Sequence, residues 1–183
     1  MYFVTSNDNK IKEYQEILGI KLERINLDLP ESQGVETEDV GREKALAAYK
    51  ALEHPVFVED TGLFFDDLNG FPGALIKHLI DRVPLEKICK LVENDKKATA
   101  TVCLAYCFNG KDVKLFIGET KGTIADSPRG KNGFGWDSIF IPDGKNKTFA
   151  EMEAEEKNQY MRKEAVYKFK EYLALGNGAK IDF

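Results

Sequence analysis

The hydrophobic and polar residues of this chain follow two periods, one typical of strands and one typical of helices. Apolar, partly β-branched runs between polar turns predict strands at 2–5, 21–27, 56–58 and 139–141. Apolar residues at helical spacing predict helices at 9–18, 39–52, 74–80, 84–92 and 155–175. Helices and strands are therefore mixed along the chain, which predicts an α/β fold.

A hairpin in the second half indicates that the sheet is not purely parallel. Residues 98–108 and 113–119 have the pattern of strands, and Asn109-Gly110 between them is typical of a two-residue turn. Residues 121–125 are expected to continue this meander. The chain has 183 residues, no internal repeats and no long linker, so a single domain over 1–183 is predicted.

The segment Val56–Phe65, V-F-V-E-D-T-G-L-F-F, puts two adjacent carboxylates at the boundary of the core. Desolvation makes this position costly unless a cation or hydrogen-bond donors compensate, so the pattern is typical of a metal or general-base site. Adjacent strand residues point to opposite faces, which predicts different roles for Glu59 and Asp60. The alternative is that Glu59–Gly62 is only a polar turn between two hairpin strands.

The first strand-to-helix turn has the groups of a phosphate site. It supplies hydroxyls, an amide, the N–H groups of a helix start and one lysine, in the sequence Thr5-Ser6-Asn7-Asp8-Asn9-Lys10. A helix N-terminus is partially positive, and Lys10 adds a full charge. A well-capped helix with a solvated lysine is the alternative.

A glycine-rich loop at 127–137 combines flexible backbone with two aromatic side chains. Glycines let the backbone approach a flat ligand, Phe134 and Trp136 offer stacking surfaces, and Asp137 can accept a hydrogen bond from a base or ribose. This composition predicts a nucleobase platform. The alternative is an ordinary loop whose two aromatic side chains fill the core.

The predicted last helix carries cations at its start. Lys157 lies one turn before Met161 and extends an apolar stripe, so it either reaches water or points at an anion. Arg162 and Lys163 follow on neighbouring faces, as expected for a positive helix start that lines a cleft. A solvated basic face is the alternative.

Composition and charge exclude several classes of protein. The net charge of −5 argues against a general nucleic-acid binder, although it permits a small phosphorylated ligand. No apolar run is long enough for a membrane span, and the start of the chain does not resemble a signal peptide, so a cytoplasmic protein without a membrane partner is expected. Cys89, Cys103 and Cys107 form no even set and are expected to be buried thiols.

Seven motifs in order resemble the inosine triphosphate pyrophosphatase family, also called the Ham1 family. The motifs are Thr5-Ser6-Asn7 with Lys10, Leu29-Pro30-Glu31, Val58-Glu59-Asp60-Thr61-Gly62, Gly70-Phe71-Pro72-Gly73 with Lys77, Pro128-Arg129-Gly130, Phe134-Gly135-Trp136-Asp137, and Thr148-Phe149-Ala150-Glu151-Met152 with Glu156-Lys157-Asn158. The resemblance implies a homodimer with a long, twisted mixed sheet, flanking helices and two lobes around a cleft. It also implies Mg²⁺-dependent hydrolysis of ITP, dITP and XTP to the monophosphate and pyrophosphate, which removes them from the nucleotide pool.

The same resemblance implies roles for individual residues. Glu31 and Asp60 would hold the metal, and Asp60 would orient or deprotonate the attacking water. Lys10, Lys44 and Lys77 would bind the triphosphate, with Arg42 an alternative to Lys44. Phe134 and Trp136 would pack on the base, and Asp137 and Lys157 would complete the nucleoside pocket. The remaining expected substrate-binding residues are Thr5, Ser6, Asn7, Thr61, Gly135, Arg162 and Lys163.

One departure from the family bears on base selectivity. The family usually has Ser-His-Arg four residues beyond the matched lysine, where this chain has Met161, Arg162 and Lys163. That triplet contributes to recognition of the 6-oxo group of the purine. Cationic donors persist at two of its positions, so binding of an oxo-purine is expected, while the degree of discrimination against GTP or ATP stays open.

Two other functions are compatible with parts of this pattern. A related Maf-type pyrophosphatase shares the opening strand, polar turn and lysine, but the Phe134–Asp137 loop and Lys157 speak against it. A nucleotide-binding protein without catalysis would explain the altered triplet. The presence of Glu31, Asp60 and the proposed phosphate lysines disfavours that alternative.

Overall fold

The chain folds into one mixed β-sheet with helices on both faces, in a computed structural model that describes residues 1–5, 8–29, 33–153, 156 and 160–176. The strands are β1 (Tyr2–Val4), β2 (Glu23–Ile25), β3 (Val56–Phe65), β4 (Pro72–Gly73), β5 (Lys97–Cys107), β6 (Val113–Ile124) and β7 (Phe140–Pro142). The helices are α1 (Asp8–Leu18), α2 (Thr37–Leu52), α3 (Ile76–Ile80), α4 (Leu85–Leu91) and α5 (Met161–Ala174). Short 3-10 turns lie at Asp66–Leu68 and Phe149–Glu151.

The order of the strands is β2-β1-β3-β5-β6-β7, and β4 pairs with the second half of β3. β1 is parallel to both β2 and β3, whereas β4, β5, β6 and β7 make antiparallel pairs. The prediction of a sheet that is not purely parallel is therefore confirmed.

Along one edge of β3, the middle of the strand lies between the ends of two partner strands. β1 pairs with Val56–Val58 and β4 pairs with Leu63–Phe64, so residues 59–62 lie between the ends of these partners. On its other edge, the same segment pairs continuously with β5. The pairing of β3 thus places Glu59 and Asp60 at the gap between β1 and β4, next to the start of α1.

Alternation along β3 divides the core between two faces of the sheet. Phe57 belongs to a large apolar cluster with Tyr14 of α1 and Phe169 of α5. Val56 and Val58 belong to a smaller cluster with α2. Because side chains alternate along a strand, Glu59 projects on the side of α1 and α5, while Asp60 projects on the side of α2.

The alternative that Glu59–Gly62 forms a turn is wrong, because β3 runs without interruption through all ten of its residues. Each residue of this segment has a partner in β5, from Glu59 opposite Leu104 to Gly62 opposite Thr101. Gly62 is required here by packing: a Cβ atom would lie 2.8 Å from Thr37 Cγ2 and 2.7 Å from Phe64 Cε2.

The predicted hairpin is present, but its two-residue turn is wrong. Cys107 pairs with Val113, which leaves residues 108–112 in the loop. The Asn109 side chain explains the longer loop, because its Oδ1 accepts hydrogen bonds from the backbone N–H groups of Lys111 and Asp112 at 2.9 and 2.8 Å. This side-chain turn satisfies the loop backbone in place of the two-residue turn.

The prediction of one continuous helix over 155–175 is wrong at Tyr160, which has extended backbone angles (φ −102°, ψ −159°), and α5 begins at Met161. Residues 155 and 157–159 of that prediction lie outside the described parts of the chain. Of the predicted apolar stripe Met161, Ala165, Phe169 and Tyr172, the first three are buried and Tyr172 is half-buried. Within the described parts of the chain, no helix has the length and apolar character needed to cross a membrane.

The three cysteines are buried free thiols, as predicted. Cys103 and Cys107 both lie in β5. Burial raises the pKa of the Cys103 thiol to about 12, so this group stays protonated at neutral pH and behaves as a small apolar side chain.

Close packing at Gly118 fixes the start of α5 against β6. A Cβ atom at Gly118 would lie 1.9 Å from the carbonyl oxygen of Met161 and 2.9 Å from the backbone nitrogen of Ala165.

Gly118→Ala should therefore displace α5 and lower the free energy of unfolding by about 1–3 kcal/mol, measured by urea denaturation. Lys114→Ala, at an exposed site in the same strand, should change it by less than about 0.5 kcal/mol. Unchanged stability of Gly118→Ala would contradict this account of the packing.

Candidate active site

A cavity of about 500 Å³ opens beside the middle of β3. Its walls come from α1, α2, α3, the loop before β7 and the start of α5. The lining combines ammonium groups, carboxylates and an aromatic segment, and includes Lys10, Lys44, Glu59, Asp60, Thr61, Lys77, Asp81, Phe134, Gly135, Trp136, Asp137, Met161 and Arg162. One cavity therefore brings together most of the predicted site residues that the structure describes.

The Glu59 carboxylate contacts several donors in this cavity, and its side chain is only 1% exposed. Its Oε1 lies 2.7 Å from Lys10 Nζ and accepts from Arg162 Nη2 at 3.2 Å. Its Oε2 accepts from Arg162 Nε at 3.0 Å and from the Tyr14 hydroxyl at 2.5 Å. Thr61 Oγ1 adds a longer contact to Oε1 at 3.3 Å.

These contacts keep Glu59 ionised. Burial alone would raise the pKa of its carboxyl, but the charges of Arg162 and Lys10, together with their hydrogen bonds, outweigh burial and hold the pKa well below its usual range. The buried negative charge is thus compensated by two cations. Removal of the carboxylate would leave the charges of Lys10 and Arg162 close together without a counter-ion at the boundary of the core.

Asp60 lies on the other side of the strand and faces α2. Lys44 Nζ is 4.0 Å from Asp60 Oδ1, at the outer limit of an ion pair. Arg42, the alternative to Lys44, is exposed on the same helix. The different surroundings of Glu59 and Asp60 confirm that the two carboxylates face different partners, as the alternation of strand residues predicts.

Lys10, Lys44 and Lys77 all line the cavity, on α1, α2 and α3 respectively. The Lys77 side chain is 74% exposed and donates to Asp81 Oδ2 at 2.7 Å. That hydrogen bond lowers the pKa of Asp81. Three ammonium groups around one cavity suit a ligand that carries several negative charges.

The glycine-rich loop is held against the segment that follows β7. The backbone N–H of Lys131 donates to the carbonyl of Ala150 at 3.1 Å, and the Thr148 hydroxyl donates to the carbonyl of Arg129 at 2.9 Å. Gly130 has φ +88°, and a Cβ atom there would lie 2.3 Å from the Ala150 carbonyl. The glycine allows this close contact, which makes the loop a fixed wall of the cavity.

The two aromatic residues of this loop have different surroundings. Phe134 is 66% exposed, whereas Trp136 is only 8% exposed and packs against Phe140 and Phe149 at ring distances of 5.6 and 6.1 Å. Asp137 Oδ2 accepts from the Phe134 backbone N–H at 2.9 Å. Phe134 therefore agrees with the predicted stacking surface for a base, whereas most of the Trp136 ring fills the core, as the alternative predicted.

The start of α5 lies beside the same aromatic cluster, because the Tyr160 ring packs on Phe149 at 4.9 Å. Met161 and Arg162 line the cavity from this side. Lys163 Nζ lies 5.8 Å from the centre of the exposed Tyr167 ring. Arg162 thus faces the cavity, whereas the substrate-binding role of Lys163 stays a prediction.

Several predicted site residues fall outside the described parts of the chain: Ser6, Asn7, Glu31 and Lys157. Their roles stay predictions, including the shared metal site of Glu31 and Asp60. Thr5 is described at the end of β1, where its backbone N–H donates to the carbonyl of Ile25 at 3.1 Å.

The sequence indicates Glu59 only as one of two carboxylates at the boundary of the core, with a role different from that of Asp60. It does not identify the partners of Glu59, among them the buried Tyr14, whose hydroxyl donates to it. The signal that identifies Glu59 is its position two residues after Phe57, since this spacing puts a carboxylate on the core face of β3. A buried carboxylate requires cations, and Lys10 and Arg162 supply them.

The cavity carboxylates also bear on metal binding. Among the residues that the structure describes, no group of three or more His, Cys, Asp or Glu side chains could hold a metal by itself. Mg²⁺ is commonly bound by one or two carboxylates together with substrate phosphates, rather than by a complete protein cage. The hard oxygen donors of Asp60, facing a cavity with several ammonium groups, fit that mode of binding.

Comparisons with known proteins agree with this geometry. A family model described as the Ham1 family matches residues 1–172. The chain is 43% identical over 178 residues to inosine triphosphate pyrophosphatase 1 of Trypanosoma cruzi, covering 94% of this chain and 91% of that protein. It is 42% identical over 176 residues to the dITP/XTP pyrophosphatase of Methanopyrus kandleri, covering 93% and 94% of the two chains.

A solved structure shows the same fold. The Staphylococcus aureus Ham1 protein superposes with a TM-score of 0.83 and 28% sequence identity, covering 96% of this chain and 100% of that one. The predicted fold class, a mixed sheet with flanking helices, is therefore confirmed.

Substitution of Glu59 tests the buried ion cluster through its pH dependence. Because folding lowers the pKa of this carboxyl, it stabilises the fold above its unfolded-state pKa of about 4.3, and this contribution is lost as pH falls below that value. Glu59→Gln should lower the free energy of unfolding at pH 7 by about 3–5 kcal/mol. The difference from wild type should narrow as pH falls below about 4.

Urea denaturation at a series of pH values measures this difference. Glu43→Gln, at an exposed site on α2, is the control and should change the free energy of unfolding by less than about 0.5 kcal/mol. A stability difference for Glu59→Gln that is the same at pH 7 and pH 3 would contradict a charged, buried Glu59.

Proposed function

This chain belongs to the Ham1 family, and we propose that it is a nucleoside triphosphate pyrophosphatase that hydrolyses noncanonical purine nucleotides such as ITP, dITP and XTP. The reaction yields the monophosphate and pyrophosphate and removes these nucleotides from the nucleotide pool. The observation that carries this proposal is one cavity in which three lysines, Asp60 and the Phe134–Asp137 loop face the same space.

The lining of the cavity combines two kinds of chemistry, which suits a nucleotide. Lys10, Lys44 and Lys77 supply positive charge for the triphosphate. Phe134 and Trp136 supply aromatic surface for the base. The motif resemblance adds Ser6 and Asn7 for the phosphates and Lys157 for the nucleoside, together with Thr5, Thr61, Gly135, Asp137, Arg162 and Lys163.

The proposed reaction is attack of water on the α-phosphorus. Asp60 orients the water or accepts its proton, the oxygen forms a bond to phosphorus, and the bond from the α-phosphorus to the bridging oxygen breaks. Pyrophosphate leaves with the electron pair of that bond. Lys10, Lys44 and Lys77 neutralise charge on the phosphates, so positioning and electrostatics supply most of the catalysis.

A divalent cation, Mg²⁺, fits the carboxylate of Asp60, with Glu31 as the proposed second ligand. When bound, it would polarise phosphate oxygens and offset charge on the leaving pyrophosphate. The Asp60 carboxylate lines a cavity that also contains ammonium groups, and Lys44 Nζ lies 4.0 Å from its Oδ1.

Three further parts of the proposal concern the whole protein. We propose a homodimer, on the resemblance to the family, and a single domain over 1–183. We propose a cytoplasmic location, which the three buried free thiols support, because reducing compartments keep cysteines unpaired. The Maf-type alternative loses its support, since the Ham1 family model matches residues 1–172.

The bond that is cleaved can be read from the products of ITP hydrolysis. With Mg²⁺ present, we expect IMP and pyrophosphate in equal amounts, measured by anion-exchange chromatography and a pyrophosphate-specific assay. UTP and dTTP should be much poorer substrates, because the proposed substrates are purine nucleotides. Release of IDP and orthophosphate would contradict the proposed bond, and preference for UTP or dTTP would contradict the purine assignment.

Asp60→Asn tests the proposed general base and metal ligand. It should lower kcat for ITP by about 10²-fold or more while the protein stays folded. The reason is that an amide is a much weaker proton acceptor than a carboxylate and binds Mg²⁺ less strongly. Asp126→Asn is a matched control, because Asp126 is 93% exposed and pairs with Lys96; its kcat should stay within about twofold of wild type. Near-wild-type turnover by Asp60→Asn would remove Asp60 from the mechanism.

A further inference from the structure

A single carboxylate, that of Glu59, contacts both Lys10 and Arg162. We propose that Glu59 is a positioning residue for base selection: it holds the Arg162 guanidinium so that its N–H groups favour a 6-oxo purine over a 6-amino purine. This inference rests on the proposed function, and it assigns to Glu59 a role that acts through Arg162.

The first support is the geometry of the Glu59–Arg162 pair. Both carboxylate oxygens take part, since Oε2 accepts from Nε at 3.0 Å and Oε1 accepts from Nη2 at 3.2 Å. Two parallel bonds between a carboxylate and a guanidinium fix both the position and the plane of the guanidinium. A single bond would leave Arg162 free to rotate about it.

The second support is the way in which the carboxylate itself is held. The Tyr14 hydroxyl donates to Oε2 at 2.5 Å, and the Tyr14 side chain is fully buried. The ring of Tyr14 packs against Phe3 and Phe57 at 4.7 and 5.4 Å. The orientation of Arg162 is therefore set by the aromatic core, through Tyr14 and Glu59.

The third support is the place from which Arg162 extends. It is the second residue of α5, whose start packs beside Trp136 through the rings of Tyr160 and Phe149. Its guanidinium reaches from this aromatic end of the cavity to Glu59 in β3. Arg162 thus extends from a segment that packs beside the aromatic loop to the carboxylate that also contacts Lys10.

The chemistry of a guanidinium explains the selectivity. A guanidinium has only donors, and it remains charged at all relevant pH values. The carbonyl at position 6 of hypoxanthine or xanthine accepts a hydrogen bond, whereas the amino group of adenine presents donors and would leave both groups unsatisfied. A rigidly held donor discriminates more strongly than a mobile one, because a mobile side chain can turn away from the wrong base.

Glu59 also keeps two cations close together. Lys10 Nζ and Arg162 Nη2 both contact Oε1, so their mutual repulsion is offset by the carboxylate between them. In the proposed reaction Lys10 binds the triphosphate, which ITP and ATP share, whereas the inference assigns Arg162 to the base, in which they differ. This difference separates the effects of the two cations in an experiment.

The test compares kcat and KM for ITP and ATP in the wild type and in Glu59→Gln, Arg162→Met and Lys10→Met. Glu59→Gln and Arg162→Met should each reduce the ratio of kcat/KM for ITP over ATP by about tenfold or more. Lys10→Met should lower kcat/KM for both nucleotides and leave the ratio within about threefold of wild type. A general loss of structure lowers both activities alike and does not move this ratio.

Two further variants separate a loss of Arg162 positioning from a loss of structure. Glu59→Asp keeps the charge and should retain more of the ITP preference than Glu59→Gln does. Tyr14→Phe removes only the hydroxyl and should reduce the preference less than Glu59→Gln. If Glu59→Gln does not fold, as judged by circular dichroism, Arg162→Met and Tyr14→Phe still decide the question.

The outcomes separate the inference from the proposed function. A wild-type enzyme that prefers ITP, with the same preference in Glu59→Gln or in Arg162→Met, would overturn the inference and leave the proposed function intact. A wild-type protein that releases no pyrophosphate from ITP would overturn the proposed function, and the inference with it.

Discussion

The buried Glu59 carboxylate, compensated by Lys10 and Arg162, is the interaction on which the arrangement of the cavity depends. Removing a carboxylate from water is costly, and this cost is offset only where cations and hydrogen-bond donors reach it. Lys10 comes from α1 and Arg162 from α5, so the ion cluster ties both helices to the middle of β3. The same contacts that compensate the buried charge therefore also orient the cations of the site.

Adjacent side chains of a β-strand point to opposite faces of the sheet, so the neighbouring carboxylates Glu59 and Asp60 have different surroundings. Glu59 projects toward α1 and α5 and is fully engaged there, whereas Asp60 projects toward α2, with Lys44 Nζ at 4.0 Å. A carboxylate saturated by cations is poorly suited to bind a metal or accept a proton. The contacts of Glu59 therefore suit a structural role, and the proposed chemistry is assigned to Asp60.

The sequence predicts much of this protein where the signal is local. The period of apolar residues predicts the mixed sheet and most helices, and most of the site residues that the resemblance predicts and the structure describes line the cavity. Predictions from local patterns are wrong where a different contact decides the backbone: the Asn109 side chain stabilises a longer loop than its Asn-Gly pair indicates, and the extended backbone of Tyr160 interrupts the predicted last helix. The roles of Glu59 and Tyr14 depend on partners distant in sequence, so only the assembled fold reveals them.

A crystal structure with ITP and a cation that does not support hydrolysis tests the central claim most directly. The account predicts that Arg162 keeps both bonds to Glu59 while its guanidinium contacts the 6-oxo group, and that Asp60 binds the cation. A structure in which Glu59 binds the cation, or in which Arg162 has left Glu59 to bind the phosphates, would contradict the division of roles between these two carboxylates.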